Sequence, residues 1–365
     1  MRGLKVEVIA FQGSSPRDVP RILQSLVRLT GRLRTLRPDV VHYHLIKAII
    51  VGRLAAWFAG VPGRFSQLGG PLTLEMKSFR YLDLATAFID HAIISPSLAV
   101  QRIYQTYWTT RAKTALVYYG FDQTRFVEAA RSDAGRSLRL QLGLQNEIVF
   151  TMVAYMYGSQ FRRFQGVGIK GHEVLLRAAR DVLRQRSDIR FLIVGEDQDG
   201  SRVNLDRLRA MAAQLGIVEH IHFLGHRSDV ADILAASDFA VVPSISENCG
   251  GAVEPMAVGV PVIASQVGGL PELVIPGVTG LCFPVGDAEG LTETILQAAA
   301  LSPATRDRLG TNGRTLVGRL FDPIACVDAL EAVYQRRSLV GQRDEYAALT
   351  KLVADDGQPC QRGAL

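Results

Sequence analysis

Two carboxylates and two adjacent glycines stand close together in SISENCGGAVEPMAV, residues 244–258: Glu247, Glu254 and the pair Gly250-Gly251. A strand pattern, FAVVPS, ends at Ser244, and a helix is expected from about Ala252. Backbone N–H groups around Gly250 and Gly251 would then point out of a helix N-terminus, which attracts anions, and the missing Cβ atoms let a ligand approach closely. Glutamates beside such a site repel phosphate but can accept hydrogen bonds from sugar or ribose hydroxyls. Charge on the amides and hydroxyls on the acids together describe a nucleotide sugar. A glutamate that merely favours a helix N-terminus, and a solvated loop acid, would account for the same two residues.

Cations for a diphosphate would come from a second loop, FRRFQGVGIKGH, which supplies Arg162, Arg163 and Lys170 directly after the strand pattern FTMVAY. Lys170-Gly171 stands where a helix should start, so an ammonium and free amides would face one pyrophosphate. A third group is the pair His42 and His44 at the end of PDVVHYH. A strand-end histidine is more often packed than catalytic.

These loops need strands to hold them. Short β-branched runs alternate with helical stretches from VEVIAF (6–11) to TALVYYG (114–120), and the alternation restarts at EIVFTMVAY (147–155) and runs to PVIAS (261–265). That is the sequence form of a parallel sheet with crossover helices, twice over, and ligands in such sheets sit at the carboxyl ends of the strands. The expected fold is α/β with two Rossmann-like, doubly wound domains. Their expected bounds are 1–135 and 136–320, followed by a C-terminal helix and loose tail over 321–365.

The 365 residues exceed what one core usually serves, and 48% hydrophobic with 21% charged residues argues for a globular chain rather than a disordered one. A net charge of +6 favours anionic partners. The positive charges are dispersed without a basic-aromatic module, so nucleic acid is not expected. Cys249, Cys282, Cys326 and Cys360 have neither metal nor disulfide-framework spacing. With no long apolar window, the expected location is cytoplasmic. Segment 18–37 carries Val19, Ile22, Leu23, Leu26, Leu29 and Leu33 with Arg21, Arg28, Arg32 and Arg34 elsewhere on the helix. It reads as an outer helix with a solvated basic face, and peripheral membrane contact at an inner membrane face is the second reading.

The run from IKGHEVLLRAARDVL through FLIVGED, HIHFLGHRSDVADILAASDFAVVPS and ENCGGAVEPMAVGVPVIASQVGGLPELVIPGVTGLCFPVGDAEGL resembles the donor domain of family 4 retaining glycosyltransferases, enzymes of GT-B fold. The resemblance implies that Lys170 and Arg163 or Arg162 bind the donor diphosphate, that Glu247 contacts the transferred sugar, and that Glu254 contacts the ribose, with Asn248, Gly250 and Gly251 in the donor site. It moves His44 toward the reacting centre as a catalytic residue beside Glu247. It also implies a hydroxyl acceptor such as a glycan or glycolipid, a role in polysaccharide or glycolipid biosynthesis, and no cofactor. The sequence is read as holding no Asp-x-Asp metal motif, and no metal is expected. Six residues separate Glu247 from Glu254 where the family usually has seven, which reads as a one-residue deletion in the loop. The family's opening strand, glycine-rich loop and helix are not found before PDVVHYH, so an incomplete first domain is expected. A non-catalytic nucleotide-sugar-binding protein and, further off, a GT-B sugar epimerase are the alternatives.

Overall fold

The structure, a computed structural model, describes residues 18–158, 166–335, 339 and 341–355. The strand expected at VEVIAF and the arginines Arg162 and Arg163 lie outside the described residues. The chain divides into two units: unit 1 comprises 1–117 with 328–341, and unit 2 comprises 118–327 with 342–365.

Unit 1 contains α1 (Val19–Leu36), β1 (Val40–His44), α2 (Ile46–Phe58), β2 (Gly63–Gln67), α3 (Leu72–Glu75), α4 (Lys77–Thr86), β3 (Ala92–Ser95), α5 (Leu98–Gln105) and β4 (Thr114–Leu116). The four strands pair in parallel in the order β1-β2-β3-β4. One face packs Tyr43 and Ile93 against Ile49, Ala55 and Val100 of the crossover helices. The other places Phe65, Ala92, Ile94 and Ala115 under Val333, Leu330 and Tyr334, from the part of a later helix that belongs to this unit.

Strand β2 is not among the sequence expectations, because GRFSQ lacks an apolar run. Its Ser66 is buried for a polar reason. Arg53, 0% exposed, donates to Asp90 Oδ2 through Nε (2.9 Å) and Nη2 (2.6 Å), to Asp83 Oδ1 (3.0 Å) and to Thr86 Oγ1 (2.6 Å). Ser66 Oγ donates to Asp90 Oδ2 (2.7 Å) and Tyr104 Oη to Asp83 Oδ2 (2.7 Å). A buried guanidinium is tolerated only with such partners.

Unit 2 contains α6 (Thr124–Arg131), α7 (Ala134–Gln141), β5 (Ile148–Val153), α8 (His172–Leu183), β6 (Ile189–Val194), α9 (Val203–Gln214), β7 (Ile221–Gly225), α10 (Val230–Ala235) and β8 (Phe239–Val242). It continues with α11 (Gly250–Val258), β9 (Val262–Ser265), α12 (Leu270–Leu273), β10 (Gly280–Phe283), α13 (Ala288–Ala299), α14 (Pro303–Leu320) and α16 (Arg343–Asp355); α15 (Pro323–Tyr334) begins in unit 2 and ends in unit 1. The strands are parallel in the order β10-β9-β8-β5-β6-β7. The chain winds outward from β5 through β6 to β7, returns to β8 on the other side of β5, and winds outward again. The β5/β8 junction is therefore the switch point of a doubly wound sheet.

The division falls at Val117 rather than 135, because α6 and α7 pack on α10 of unit 2. Gly135 is pressed on that helix so closely that a Cβ would stand 2.5 Å from the Ala235 carbonyl oxygen. The tail also departs from expectation over 342–355. Gln342 accepts from Tyr118 N (2.8 Å) and donates to Leu320 O (3.0 Å), and Tyr346 Oη donates to Glu272 O (3.0 Å). Those bonds and the buried Leu349 and Val353 fix α16 to its unit.

Candidate functional site

The switch point of unit 2 holds a hollow of about 190 Å³, walled by Met152 to Tyr155 at the end of β5 and Val241 to Ser244 at the end of β8. Lys170, Glu247 and Gly251 complete it. In doubly wound sheets the crevice outside the strand ends at this point is where ligands bind.

Lys170 reaches the hollow because Gly171, the N-cap of α8, takes φ +77° and lies against Pro243, whose carbonyl oxygen would be 1.8 Å from a Cβ. Only glycine meets both demands. Ile245 N donates to Ile169 O (2.8 Å), tying the two loops together. Across this seam Lys170 Nζ donates to Glu247 Oε2 at 2.5 Å, with the two side chains 25% and 10% exposed. Ser244 Oγ also donates to Oε2 (3.2 Å), and Asn248 N donates to Oε1 (3.1 Å). Glu247, not Ser246, thus lines the hollow; Ser246 is buried, its Oγ without a hydrogen-bond partner among the described residues.

Helix α11 starts at Gly250, two residues earlier than expected, so Gly250 and Gly251 are its first residues and carry N–H groups that lie beyond the helix's own ladder. Gly251 is tight, with Val242 Cγ1 3.0 Å from a Cβ; Gly250 is open. Glu254 lies one turn on, outside the lining of the hollow. Burial lifts its carboxyl above the usual range, and Arg125 of α6, 4.0 Å away, draws it back. Arg125 was not among the expected site residues; its only sequence signal is the turn DQT, where Asp122 accepts from Thr124 N (3.0 Å) and opens α6.

Beside Lys170, His172 is buried, and burial lowers its pKa to about 4. Glu173 accepts from Gly168 N (3.0 Å) and from Arg207, holding the approach to α8. In unit 1, His44 is exposed at the end of β1, its ring 4.1 Å from that of His42. His42 Nδ1 lies 2.6 Å from Tyr334 Oη, and burial, then His44, lowers its pKa to about 3. His42 is the packed histidine and His44 the exposed one.

The loop after β6 does carry an Asp-x-Asp triplet, Asp197–Asp199, which the sequence expectation passed over. Its first carboxylate is engaged in starting α9, accepting from Asn204 N (3.1 Å) and Leu205 N (3.3 Å). Among the described residues no three His, Cys, Asp or Glu side chains gather in a metal-holding group.

The pattern of the family described as Glycosyl transferases group 1 matches residues 163–316, which include Lys170, Glu247, Gly250, Gly251 and Glu254. D-inositol 3-phosphate glycosyltransferase of Actinosynnema mirum is 31% identical over 375 residues, covering 94% of this chain and 85% of that protein. The chain belongs to the group 1 glycosyltransferases. Another relative, D-inositol 3-phosphate glycosyltransferase of Mycobacterium sp. (strain KMS), is 32% identical over 222 residues, 60% of this chain. Here the chain spans about half of its relative's length, 47%. Among solved structures, Anabaena Alr3699/HepE in complex with UDP superposes with a TM-score of 0.75 at 22% identity, over 86% of this chain and 82% of that one. Sucrose-phosphate synthase from Thermosynechococcus elongatus superposes with a TM-score of 0.68 at 24% identity, over 88% and 79%. The fold is that of the GT-B glycosyltransferases, α/β with two parallel sheets. No helix among the described residues is long and apolar enough to cross a membrane.

Proposed function

We propose that the protein transfers a hexose from a nucleoside diphosphate sugar to a hydroxyl acceptor with retained anomeric configuration, in the building of a polysaccharide or glycolipid. The observation that carries this is the Lys170–Glu247 ion pair in the hollow at the switch point. In this pair each side chain supplies the other's counter-charge. An incoming diphosphate is the better partner for Lys170, with the first amides of α11 as further donors, and taking it releases Glu247 to accept from hydroxyls of the sugar. Glu254 accepts from the ribose diol. Charge developing on the departing diphosphate is thereby met by groups already in place, which is how such a site lowers a barrier. Glu247 faces the positive charge that grows on the sugar ring. His44 is assigned to the reacting centre by family resemblance alone. UDP-bound Anabaena Alr3699/HepE supports a nucleotide donor and makes UDP the first to test.

The experiment is thermal unfolding with UDP, GDP and ADP, followed by a transfer assay with the matching sugar nucleotides. A ligand at a hundred times its Kd adds about 2.7 kcal/mol. An unmoved melting curve with all three nucleotides would sink the donor site. Binding without transfer to any acceptor would leave the non-catalytic binding protein in its place.

A further inference from the structure

The amino-terminal edge of the sheet in unit 1 faces away from the strand ends where parallel sheets bind ligands. It is formed by the segments that lead into the four strands: 37–39, 59–62, 87–91 and 106–113. Large aromatic side chains stand open there. Trp57 and Phe58 at the end of α2 are about half exposed, Phe88 is 62% exposed, and Trp108 is 91% exposed. Three of them form one patch, with ring centroids 5.2 Å apart for Trp57 and Phe58 and 6.4 Å for Trp57 and Phe88.

Cations surround the patch and stiffen it. Arg34 donates to Phe58 O (3.0 Å), Lys113 to Phe88 O (3.1 Å) and Asp90 O (3.0 Å), and Arg64 to Ile89 O (2.8 Å). Arg37 and Arg111 are exposed and make no ion pair among the described residues. Arg37 holds a left-handed φ of +47° at the end of α1, a conformation that favours glycine. Beside it lies a hollow of about 470 Å³ lined by Arg34, Arg37, Asp39 and residues 59–62. The acids of this edge are Asp39 and the buried, paired Asp90. Aromatic side chains at the rim of a rigid edge, with Arg34, Arg37, Arg111 and Lys113 outnumbering the exposed Asp39 and with room for a phosphate, match the headgroup layer of an anionic bilayer. A second copy of the chain fits poorly, since a two-fold contact would set these arginines against their own kind.

We propose that this edge docks on an anionic lipid bilayer, with Trp57, Phe58 and Phe88 entering the headgroup region and Arg34, Arg37 and Arg111 meeting lipid phosphates. Of the basic residues of α1 read from the sequence it takes only Arg34, at the end of the helix, and it requires nothing of the nucleotide site. The test is co-sedimentation of the full chain with vesicles of phosphatidylcholine alone or mixed with phosphatidylglycerol. The protein should sediment with the mixed vesicles only. Emission from Trp57, left as the one tryptophan by Trp108→Phe, should shift to the blue on binding. Each of Arg37→Gln and Arg111→Gln should weaken partitioning about fivefold, the effect of about 1 kcal/mol per basic residue. Trp57→Ser with Phe88→Ser should reduce it further, while circular dichroism melts confirm the fold of every variant. No sedimentation with mixed vesicles, or sedimentation that the folded variants leave unchanged, overturns the proposal. So does a dimer in sedimentation velocity that Trp57→Ser dissolves without any vesicle binding.

Discussion

Each unit holds a salt-bridged cluster, and the two differ in how deeply the cation is buried and how many partners it holds. In unit 1, Arg53 sits at zero exposure with donors spent on Asp83, Asp90, Ser66 and Thr86. In unit 2, Lys170 has Glu247 as its ion-pair partner in a hollow open enough to admit a ligand. A guanidinium fork fixes several partners at once, whereas an ammonium is a point charge that exchanges one partner for another. The first arrangement serves architecture and the second suits binding. Charge and pairing are common to both, so burial and spare bonding capacity carry the distinction.

The largest effect that would sharpen the contrast is on unit 1. Arg53→Met should cost about 3–5 kcal/mol in urea unfolding, because Asp83 and Asp90 are left as buried charges. Adding Asp83→Asn and Asp90→Asn should recover part of that loss. If the single variant unfolds at the parent's midpoint, the cluster is ornamental and the comparison fails.

Acid provides the next test, at His172. The unfolded histidine titrates near 6.5 and the folded one near 4 because burial disfavours its charge. Between those values the unfolded chain binds a proton that the folded chain refuses. Stability therefore falls as pH drops through that window, at up to about 1.4 kcal/mol per pH unit from this residue, and is unaffected above it. His42, whose pKa is also lowered, adds a slope of the same sign in unit 1. His172→Gln should flatten the dependence between pH 6.5 and 4; an unchanged slope would show that the imidazole is not held neutral.

Lys170→Met comes third. Its ion pair is partly exposed, so stability should move by less than about 1 kcal/mol. Nucleotide affinity should fall by about 1.5–3 kcal/mol, measured by calorimetry with UDP. A large stability loss with unchanged affinity would reverse the roles assigned to the two clusters.

Much of this was legible before any coordinates. The alternation of β-branched runs with helices marked eight of the ten described strands, because apolar periodicity is a local signal. It missed β2, whose buried Ser66 answers to Arg53 and Asp90 elsewhere in the fold, and β10, a four-residue strand opened by Gly280. Lys170, Glu247, Gly250, Gly251 and Glu254 could be named from the loops that follow strands. Their pairing could not, since the Lys170–Glu247 contact depends on the winding that brings β8 back beside β5. Arg125 stayed hidden for the same reason, its contact with Glu254 being made by a helix assigned to the wrong domain.

The smallest effect asks most of the comparison, because it concerns which partner Lys170 prefers. If Glu247 is a counter-ion that the diphosphate displaces, Glu247→Gln removes a competitor and should leave UDP affinity unchanged or raise it severalfold. The same variant should weaken a sugar nucleotide relative to UDP, since the amide is a poorer acceptor for sugar hydroxyls than a carboxylate. Glu254→Gln should lower the affinity for UDP and for its sugar conjugate alike, by about 1 kcal/mol, the worth of a typical hydrogen bond. Calorimetry with both ligands on both variants separates these patterns. Equal losses of UDP in the two variants would mean that Glu247 is part of the nucleotide site itself, and the exchange of partners at Lys170 would have no support.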